Sequence, residues 1–256
     1  MKNYNDLVEG IKQAKDVEEY FKEFFVKDNC KEYKMIEGAS KKEIKALKVL
    51  FESKRDLLVR VEDAFKLDPL CPEAMFVYHY LADEMYVFDR YEAYYDQKDE
   101  YADFTYHQKF SYIQILDLYV EFLLDIQNMT YALKVQKLII KLTNQMNAIA
   151  LNRFSFIYNY IENWQDAYRL YLDNDFDAYD YLLLLVTLLK HDEKQKAREV
   201  LLDMLKNIED AEYIDHIWEL SEKSKFFIAV NNCYDQLQGV PLFFPWASET
   251  IKNNRV

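Results

Sequence analysis

The chain has 256 residues and a formal net charge of −13, from 32 lysines and arginines against 45 aspartates and glutamates. About half of the residues are hydrophobic (51%), and only three glycines and four prolines are present, against average usage of roughly 7% and 5%. This composition excludes a disordered chain and a fold rich in tight turns, and it predicts an all-α protein. The negative charge disfavours nucleic acid and anionic membrane surfaces as partners, because both carry negative charge themselves.

Cysteine usage and hydropathy predict a cytoplasmic protein. The cysteines, Cys30, Cys71 and Cys233, are odd in number and show no C-x-x-C spacing, as expected of reduced thiols. The first ten residues contain no apolar stretch of the kind found in a secretion signal. The longest apolar run, Tyr181 to Leu189, is far shorter than the roughly 20 residues needed to cross a bilayer.

The first part of the chain predicts long amphipathic helices. One pattern covers residues 4–27, and a capping box, Ser40 followed by Glu43, opens another. We expect that second helix to run as far as the break Leu67-Asp68-Pro69, because the residue before a proline is disfavoured in helical conformation. A further helix is predicted to begin at Pro72, since proline fits the first helical turn.

The middle of the chain shows a spacing that repeats. Residues 87–109 predict one or two helices with a stripe of tyrosines, and residues 110–126 predict another helix. Candidate N-caps are Asn128, Asn163 and Asp192. Each is followed by an alanine at which a neighbouring helix can approach closely: Ala132, Ala167 and Ala197, which are 35 and 30 residues apart. Tetratricopeptide arrays have a period of about 34 residues.

The remaining helices complete the pattern. They are predicted at about 147–161, 177–190, 210–222 and 224–237, and a short helix is expected from Ser248. The aromatic residues near the C-terminus, Phe243, Phe244 and Trp246, are predicted to cap the end of the array, or alternatively to form a dimer contact.

The sequence resembles a divergent tetratricopeptide-repeat protein. Two groups of residues carry the resemblance. The first comprises Ala64, the Leu67-Asp68-Pro69 end of a repeat, and the Pro72-Glu73-Ala74-Met75 start of the next. The second comprises Tyr181, Leu184, Leu188, Ala197, Leu201 and Met204. The chain departs from the family at its usual tryptophan, replaced by Met75 or Tyr181, and at its usual glycine, replaced by His79 or Leu185.

The resemblance implies a right-handed α/α superhelix of antiparallel helical hairpins whose concave face binds peptides or proteins. We therefore expect a single helical-repeat domain over residues 1–256. Residues 1–56 would form N-terminal helices, residues 57–237 would form the hairpins, and residues 238–256 would form a C-terminal cap.

The sequence offers no catalytic motif. With so few glycines it holds neither a P-loop nor a dinucleotide-binding fingerprint, and its four histidines form no zinc-binding pattern. Cys71 precedes a predicted helix, where a reactive thiolate could form, although a buried thiol is the commoner outcome. We therefore predict a protein that is not an enzyme and that has neither a cofactor nor a metal site.

An acidic, tyrosine-rich segment is the candidate binding groove. Residues 61–126 hold 15 acidic and only 4 basic residues, and their tyrosines could offer large, rigid contact surfaces to a basic partner. The predicted groove consists of Tyr78, His79, Asp83, Tyr86, Tyr91, Tyr94 and Tyr95. Alternatively, these tyrosines fill the cores of helical hairpins.

Three functions remain open from the sequence. The first is a non-catalytic protein- or peptide-binding scaffold, for which the acidic charge allows a basic partner without requiring one. The second is a regulatory module that senses a small ligand or a signal peptide in a tyrosine-lined groove. The third is an enzyme of unknown class.

Overall fold

The computed structural model describes residues 41–53, 55–104 and 106–254, together with residues 10, 14 and 20. Within these ranges the chain is all-α, with thirteen α-helices, three 3-10 segments and no β-strand. The predicted fold class is thereby confirmed. Apart from residues 10, 14 and 20, the helix predicted at residues 4–27 lies outside the described residues, and so does Ser40 of the capping box. No helix in the described part of the chain combines the length and the apolar character that crossing a bilayer would require.

The structure divides into two compact units, one ending at Gln127 and one beginning at Asn128. The helices of the first unit are α1 (Lys41–Glu52), α2 (Leu57–Leu67), α3 (Pro72–Leu81), α4 (Glu84–Tyr95) and α5 (Tyr106–Asp125), with a 3-10 segment at Asp96–Asp103. Those of the second unit are α6 (Met129–Thr143), α7 (Ala148–Tyr160), α8 (Trp164–Asp173), α9 (Ala178–Lys190), α10 (Lys194–Asn207), α11 (Lys225–Asn232), α12 (Tyr234–Gln238) and α13 (Phe243–Asn254).

The single helix expected between Ser40 and Leu67 is two helices, which corrects the sequence prediction. Helix α1 ends at Glu52, and α2 starts after Asp56, whose side chain accepts a hydrogen bond from the Leu58 amide. The two helices pack against each other. No proline or glycine marks the break, so the local signal was the polar run ESKRD at residues 52–56, which ends in the capping aspartate.

The Leu-Asp-Pro break was predicted correctly. Helix α2 ends at Leu67, and the buried carboxylate of Asp68 accepts a hydrogen bond from the Leu70 amide at 3.1 Å. Pro72 then occupies the first turn of α3, as its fixed φ angle favours.

Helix α9 is the centre of the second unit. It packs against α7, α8, α10, α11 and α12. Its sequence, AYDYLLLLVTLLK, is apolar on every face, and nearly every residue from Ala178 to Leu188 is buried. A helix that is hydrophobic all round must be covered all round, which is what these neighbours do.

Two predictions near the C-terminus need correction. Residues 210–222 contain only short 3-10 turns, Ala211–Tyr213 and Ile217–Glu219, instead of an α-helix. The last helix begins at Phe243 instead of Ser248, and Pro245 lies in its first turn, where a missing N–H is harmless. Phe243 is buried in the core of the second unit.

The repeating spacing corresponds to a turn that recurs before α6, α8 and α10. In each case a residue with positive φ precedes the N-cap: Gln127 (58°), Glu162 (55°) and Asp192 (58°). Asn128 and Asn163 are N-caps as predicted, but the third N-cap is Glu193 and not Asp192. The three alanines of the repeat are buried, as their predicted packing role requires.

The core of the first unit depends on buried tyrosines. The ring of Tyr91 is fully buried and stacks on that of Tyr119, with centroids 4.7 Å apart. The hydroxyl of Tyr91 also pairs with Nδ1 of His79 at 3.0 Å.

We expect Tyr91→Ala to lower the free energy of unfolding by about 3–5 kcal/mol, because it removes a large buried ring and leaves a cavity. Tyr86→Ala is the matched control, since Tyr86 is 53% exposed on the same helix and should change stability by about 0.5 kcal/mol or less. Urea unfolding followed by far-UV circular dichroism measures both. Equal effects of the two variants would contradict the assignment of Tyr91 to the core.

Candidate functional site

The seven residues of the predicted tyrosine groove do not share one surface. Tyr91 and Tyr94 are buried in the core of the first unit, where the guanidinium of Arg90 lies 5.5 Å from the Tyr94 ring centroid. Burial raises the pKa of Tyr94, so its hydroxyl stays neutral. These two side chains therefore fill a hairpin core, the alternative that the sequence left open for the set.

The other five predicted residues are partly or fully accessible. Tyr78 is half-buried against Phe65, with ring centroids 5.7 Å apart, and Tyr95 is half-buried with the Lys98 ammonium 4.7 Å from its ring centroid. Asp83 and Tyr86 are exposed at the start of α4.

His79 is the half-buried partner of Tyr91. Burial lowers the pKa of His79, and the Asp125 carboxylate opposes that shift.

Cys71 is not a reactive thiol. It is buried, and burial together with the nearby Glu73 and Asp68 carboxylates raises its pKa well above the ordinary value. The thiolate that nucleophilic chemistry needs is therefore disfavoured at this position.

The strongest concentration of unbalanced charge around a cavity lies in the second unit. A cavity of about 520 Å³, which we call the acidic cavity, is lined by Met146, Asn147, Ala148, Leu151, Leu172, Asp173, Asn174, Asp175, Asp177 and Asp180. Four of these ten residues are aspartates, and none is basic. The cavity thus selects for positive charge.

The first turn of α9 builds the floor of the acidic cavity. Asp177 is the N-cap of α9, and its carboxylate accepts a hydrogen bond from the Asp180 amide at 3.0 Å. In return the Asp180 carboxylate accepts from the Asp177 amide, which completes a capping box. Asn152 of α7 donates to the second carboxylate oxygen of Asp177 at 3.0 Å.

A buried phenylalanine holds the wall of the cavity in place. Phe176 packs edge-on against Tyr171 and Tyr181, with ring centroids 5.6 and 5.7 Å apart. The hydroxyls of these two tyrosines both donate to Asp203 of α10, at 2.9 and 2.7 Å. The residues on either side of Phe176 are consequently the exposed ones, and both are aspartates.

Asp180 is the unusual member of the set. It is only 1% exposed, and its Oδ1 atom has no hydrogen-bond partner among the described residues. Burial, and then the nearby Asp177 carboxylate, raise the pKa of Asp180 to about 7. The buried Ser155 hydroxyl opposes this rise, although its oxygen does not meet hydrogen-bonding geometry. A buried oxygen without a partner costs roughly 1–3 kcal/mol, so this one calls for an explanation.

The rim of the acidic cavity is apolar. Leu172 is 63% exposed at the end of α8, and Met146 is 41% exposed before α7. Ile149 is also exposed on α7, next to the lining residue Ala148. Exposed aliphatic side chains that cluster at the mouth of a charged cavity suit an amphipathic partner.

Two further cavities lie in the second unit. The larger, about 840 Å³, shares Asp177 with the acidic cavity, but Lys223 and Lys225 offset two of its three acidic residues, which are Asp177, Glu209 and Asp210. The smaller, about 370 Å³, is lined mainly by the apolar residues around Leu242 and Trp246. The larger cavity thus has one acidic residue in excess, whereas Lys194 and Glu249 balance each other in the smaller one. Among the described residues, no group of three His, Cys, Asp or Glu side chains is placed to hold a metal ion.

Sequence reasoning missed the acidic cavity, although the chain holds a signal for it. Residues 173–180 read DNDFDAYD, four aspartates in eight residues without a basic residue. The run is short beside the larger acidic segment at residues 61–126, which holds most of the net charge. No protein-family model, no curated protein and no solved structure matches the chain. Its function is therefore argued from the chemistry of the cavity.

The raised pKa of Asp180 predicts a specific dependence of stability on pH. The folded state binds a proton at Asp180 up to about pH 7, whereas an unfolded aspartate releases it near pH 4. The contribution of this group is therefore fully present below about pH 4 and is lost as the pH rises through about 7. We expect Asp180→Asn to unfold with a free energy higher than that of the wild type by on the order of 2–4 kcal/mol near pH 8, and to differ much less near pH 5.

Tryptophan fluorescence during urea unfolding measures this difference, because Trp164, Trp218 and Trp246 all lie in the second unit. Asp175→Asn is the control, since Asp175 is an exposed carboxylate beside the same cavity. A constant difference between Asp180→Asn and wild type from pH 5 to pH 8 would show that Asp180 does not titrate in this range.

Proposed function

We propose that the protein is a non-catalytic binding protein whose acidic cavity takes a basic, amphipathic segment of another protein. The observation that carries this proposal is the lining of the cavity, four aspartates without a basic residue, beneath a rim of exposed aliphatic side chains. A segment that presents lysine or arginine together with leucine-like residues complements both parts.

The carboxylates dominate the electrostatics of the cavity. The N-termini of α7 and α9 meet at its edge and contribute roughly half a positive charge each, while the C-terminus of α8 contributes roughly half a negative charge. The exposed carboxylates of Asp173, Asp175 and Asp177 outweigh these partial charges, and Asp180 lies beneath them. The total charge around the cavity is strongly negative, so binding of a cation there is electrostatically favourable.

The apolar rim favours a peptide segment over a bare cation. Leu172 and Met146 would lie against the aliphatic stem of a lysine or arginine and against neighbouring apolar residues of the segment. Burying exposed aliphatic area contributes about 25 cal/mol for each Å², which a small hydrated ion cannot exploit.

A helical-repeat scaffold of the tetratricopeptide type is part of this proposal. The recurrent turn before α6, α8 and α10 and the buried alanine of each following helix support it. In such a scaffold, helical hairpins would hold the binding residues in fixed positions, and the side chains of the partner would differ from one partner to another. The neutral, buried Cys71 thiol is in keeping with a non-catalytic role.

The proposal is tested with a fluorescently labelled peptide of about 14 residues that places leucines on one helical face and lysines on the other. We expect Asp173→Asn/Asp175→Asn to weaken its binding by roughly 3- to 10-fold, as loss of two partly exposed charges implies. We also expect the affinity to fall as the salt concentration rises from about 50 to about 300 mM. Fluorescence anisotropy titrations measure both effects.

The matched control is Asp192→Asn/Glu222→Gln, which has the same net charge but alters exposed residues that do not line the cavity. It should retain the wild-type affinity within about 2-fold. If both double variants lose the same affinity, the peptide responds only to net charge and the acidic cavity is not its site. A peptide with glutamates in place of the lysines should not bind.

A further inference from the structure

We infer that the start of α13 is a self-association surface, on which a second copy of this chain docks by a two-fold contact. Leu242 of each copy inserts into the apolar cavity of the other, and Lys194 of each copy faces Glu249 of the other. The inference starts from the conformation of Leu242 and from the lining of the cavity of about 370 Å³ that Leu242 borders. It does not depend on the acidic cavity or on the proposed peptide.

Leu242 occupies a position that is unfavourable for leucine in three respects. Its φ of 63° lies in the left-handed region, which a residue with a Cβ atom rarely adopts. Its carbonyl accepts the first hydrogen bond of α13, from the Trp246 amide at 2.9 Å, so an apolar residue stands where a polar capping side chain is preferred. Its side chain is 75% exposed, more than any other large hydrophobic residue among those described. A side chain this exposed makes few contacts within its own chain, so the fold gains little from it in return.

The neighbours of Leu242 keep it in this conformation. Val240 and Phe243 are both buried in the core of the second unit, and the Phe243 amide donates to the Val240 carbonyl at 3.2 Å. Pro241, between Val240 and Leu242, has a φ angle fixed by its ring. The chain is therefore anchored on both sides of Leu242, which it displays at the surface. Strained backbone of this kind concentrates at functional sites.

The cavity beside Leu242 matches the side chain that is displayed there. Seven of its nine lining residues are apolar, among them Leu189, Val240 and Trp246. A cavity of roughly 150 Å³ holds a benzene ring, so one of about 370 Å³ accommodates a leucine side chain. Trp246 is half-buried and offers the kind of aromatic surface that contributes most to binding at interfaces. The surface thus carries both a projecting leucine and a place to receive one.

The charges around this cavity complement a second copy of the same surface. Its two charged lining residues are Lys194, at the start of α10, and Glu249 of α13. Across a two-fold axis every contact occurs twice with the roles exchanged, so Lys194 of each copy pairs with Glu249 of the other. Glu249 is exposed and has no partner among the described residues. Lys194 pairs only with the exposed Asp192, at 2.9 Å, and such a surface pair contributes little.

The net charge of the chain favours the same surface. Two copies of a chain with a net charge of −13 repel each other, and the repulsion is weakest where the contacting surfaces carry no net charge. Residues 236–248, which form most of the cavity lining, contain no charged side chain, although 30% of the chain is charged. A basic partner would be attracted to the aspartate-rich surfaces instead. The start of α13 therefore suits a second copy of the chain.

Sedimentation equilibrium tests the role of Leu242. We expect the wild type to form a dimer with a dissociation constant on the order of 10–100 µM, since a contact built around one leucine and one tryptophan from each copy is small. Leu242→Gly should weaken this dimer by at least about 10-fold, because each copy loses the side chain that it inserts. Ile228→Ala is the control, since Ile228 is exposed on α11 but does not line the cavity, and it should dimerise like the wild type.

Leu242→Gly also separates loss of the dimer from misfolding. Glycine adopts a φ of 63° without a steric penalty. At a protein concentration of about 1 µM, where the wild type is monomeric, the variant should therefore unfold at the same urea concentration as the wild type or at a higher one.

Charge reversal tests the two-fold pairing. Lys194→Glu and Glu249→Lys, each alone, should weaken its own dimer by about 3- to 10-fold, because each places like charges opposite one another. Glu249→Lys makes the chain less acidic, so net charge alone would strengthen its dimer. An equimolar mixture of the two variants should restore the wild-type affinity, because both contacts of a mixed dimer again join a lysine to a glutamate.

A wild type that stays monomeric up to about 200 µM would overturn the inference, as would a dimer that Leu242→Gly leaves intact. An assembly larger than a dimer would contradict the two-fold contact. A mixture that associates no more tightly than the separate charge variants would show that Lys194 and Glu249 do not pair between copies. None of these results bears on the proposed function, which peptide binding at the acidic cavity tests separately.

Discussion

The second unit depends on one constraint, the burial of α9 on every face. A helix with leucines all round has no solvent-facing side on which polar groups can be left, so each of its polar groups needs an internal partner. Thr187 donates to the Leu183 carbonyl at 2.7 Å, and Asn159 of α7 donates to the same hydroxyl at 2.8 Å. At the other end the capping box satisfies two of the free amides, those of Asp177 and Asp180. The packing of the neighbouring helices follows from the need to cover this one.

The same constraint explains why Asp180 is unusual. A third-position acid in a capping box normally sits at the surface, where water solvates the carboxylate. Here the first turn of α9 is already covered, so Asp180 serves as a cap while its charge is desolvated. One of its oxygens accepts from the Asp177 amide, and the buried Ser155 hydroxyl lowers the pKa of the same carboxyl. Asp180 lines the acidic cavity together with three exposed aspartates, so the cap of α9 is also part of the proposed binding site.

The sequence predicted the features that depend on neighbouring residues in the chain, and it missed those that depend on tertiary packing. The sequence predicted the N-caps Asn128 and Asn163 and the burial of the three repeat alanines, Ala132, Ala167 and Ala197. These features were predictable because they depend on residues only a few positions away in the chain. Glu193 was missed because Asp192, which has a positive φ, looks more like a cap than its neighbour. Which tyrosines of residues 78–95 are buried depends on where α5 packs, and no local pattern encodes that. The four aspartates of the acidic cavity come from one run, residues 173–180, but only the tertiary structure brings the start of α7 beside them.

The recurrent turn also bears on the entropy of the unfolded chain. Most proteins place glycine at a helix C-terminus that needs a positive φ, but this chain places Gln127, Glu162 and Asp192 there. In that conformation each of these residues has a backbone free energy roughly 1 kcal/mol higher than glycine would have. The same side chains restrict the backbone of the denatured ensemble, which glycine would leave free. With three glycines in 256 residues, the chain has comparatively little backbone freedom to lose when it folds. Part of what stabilises these turns is therefore found in the unfolded state and not in any contact of the folded one.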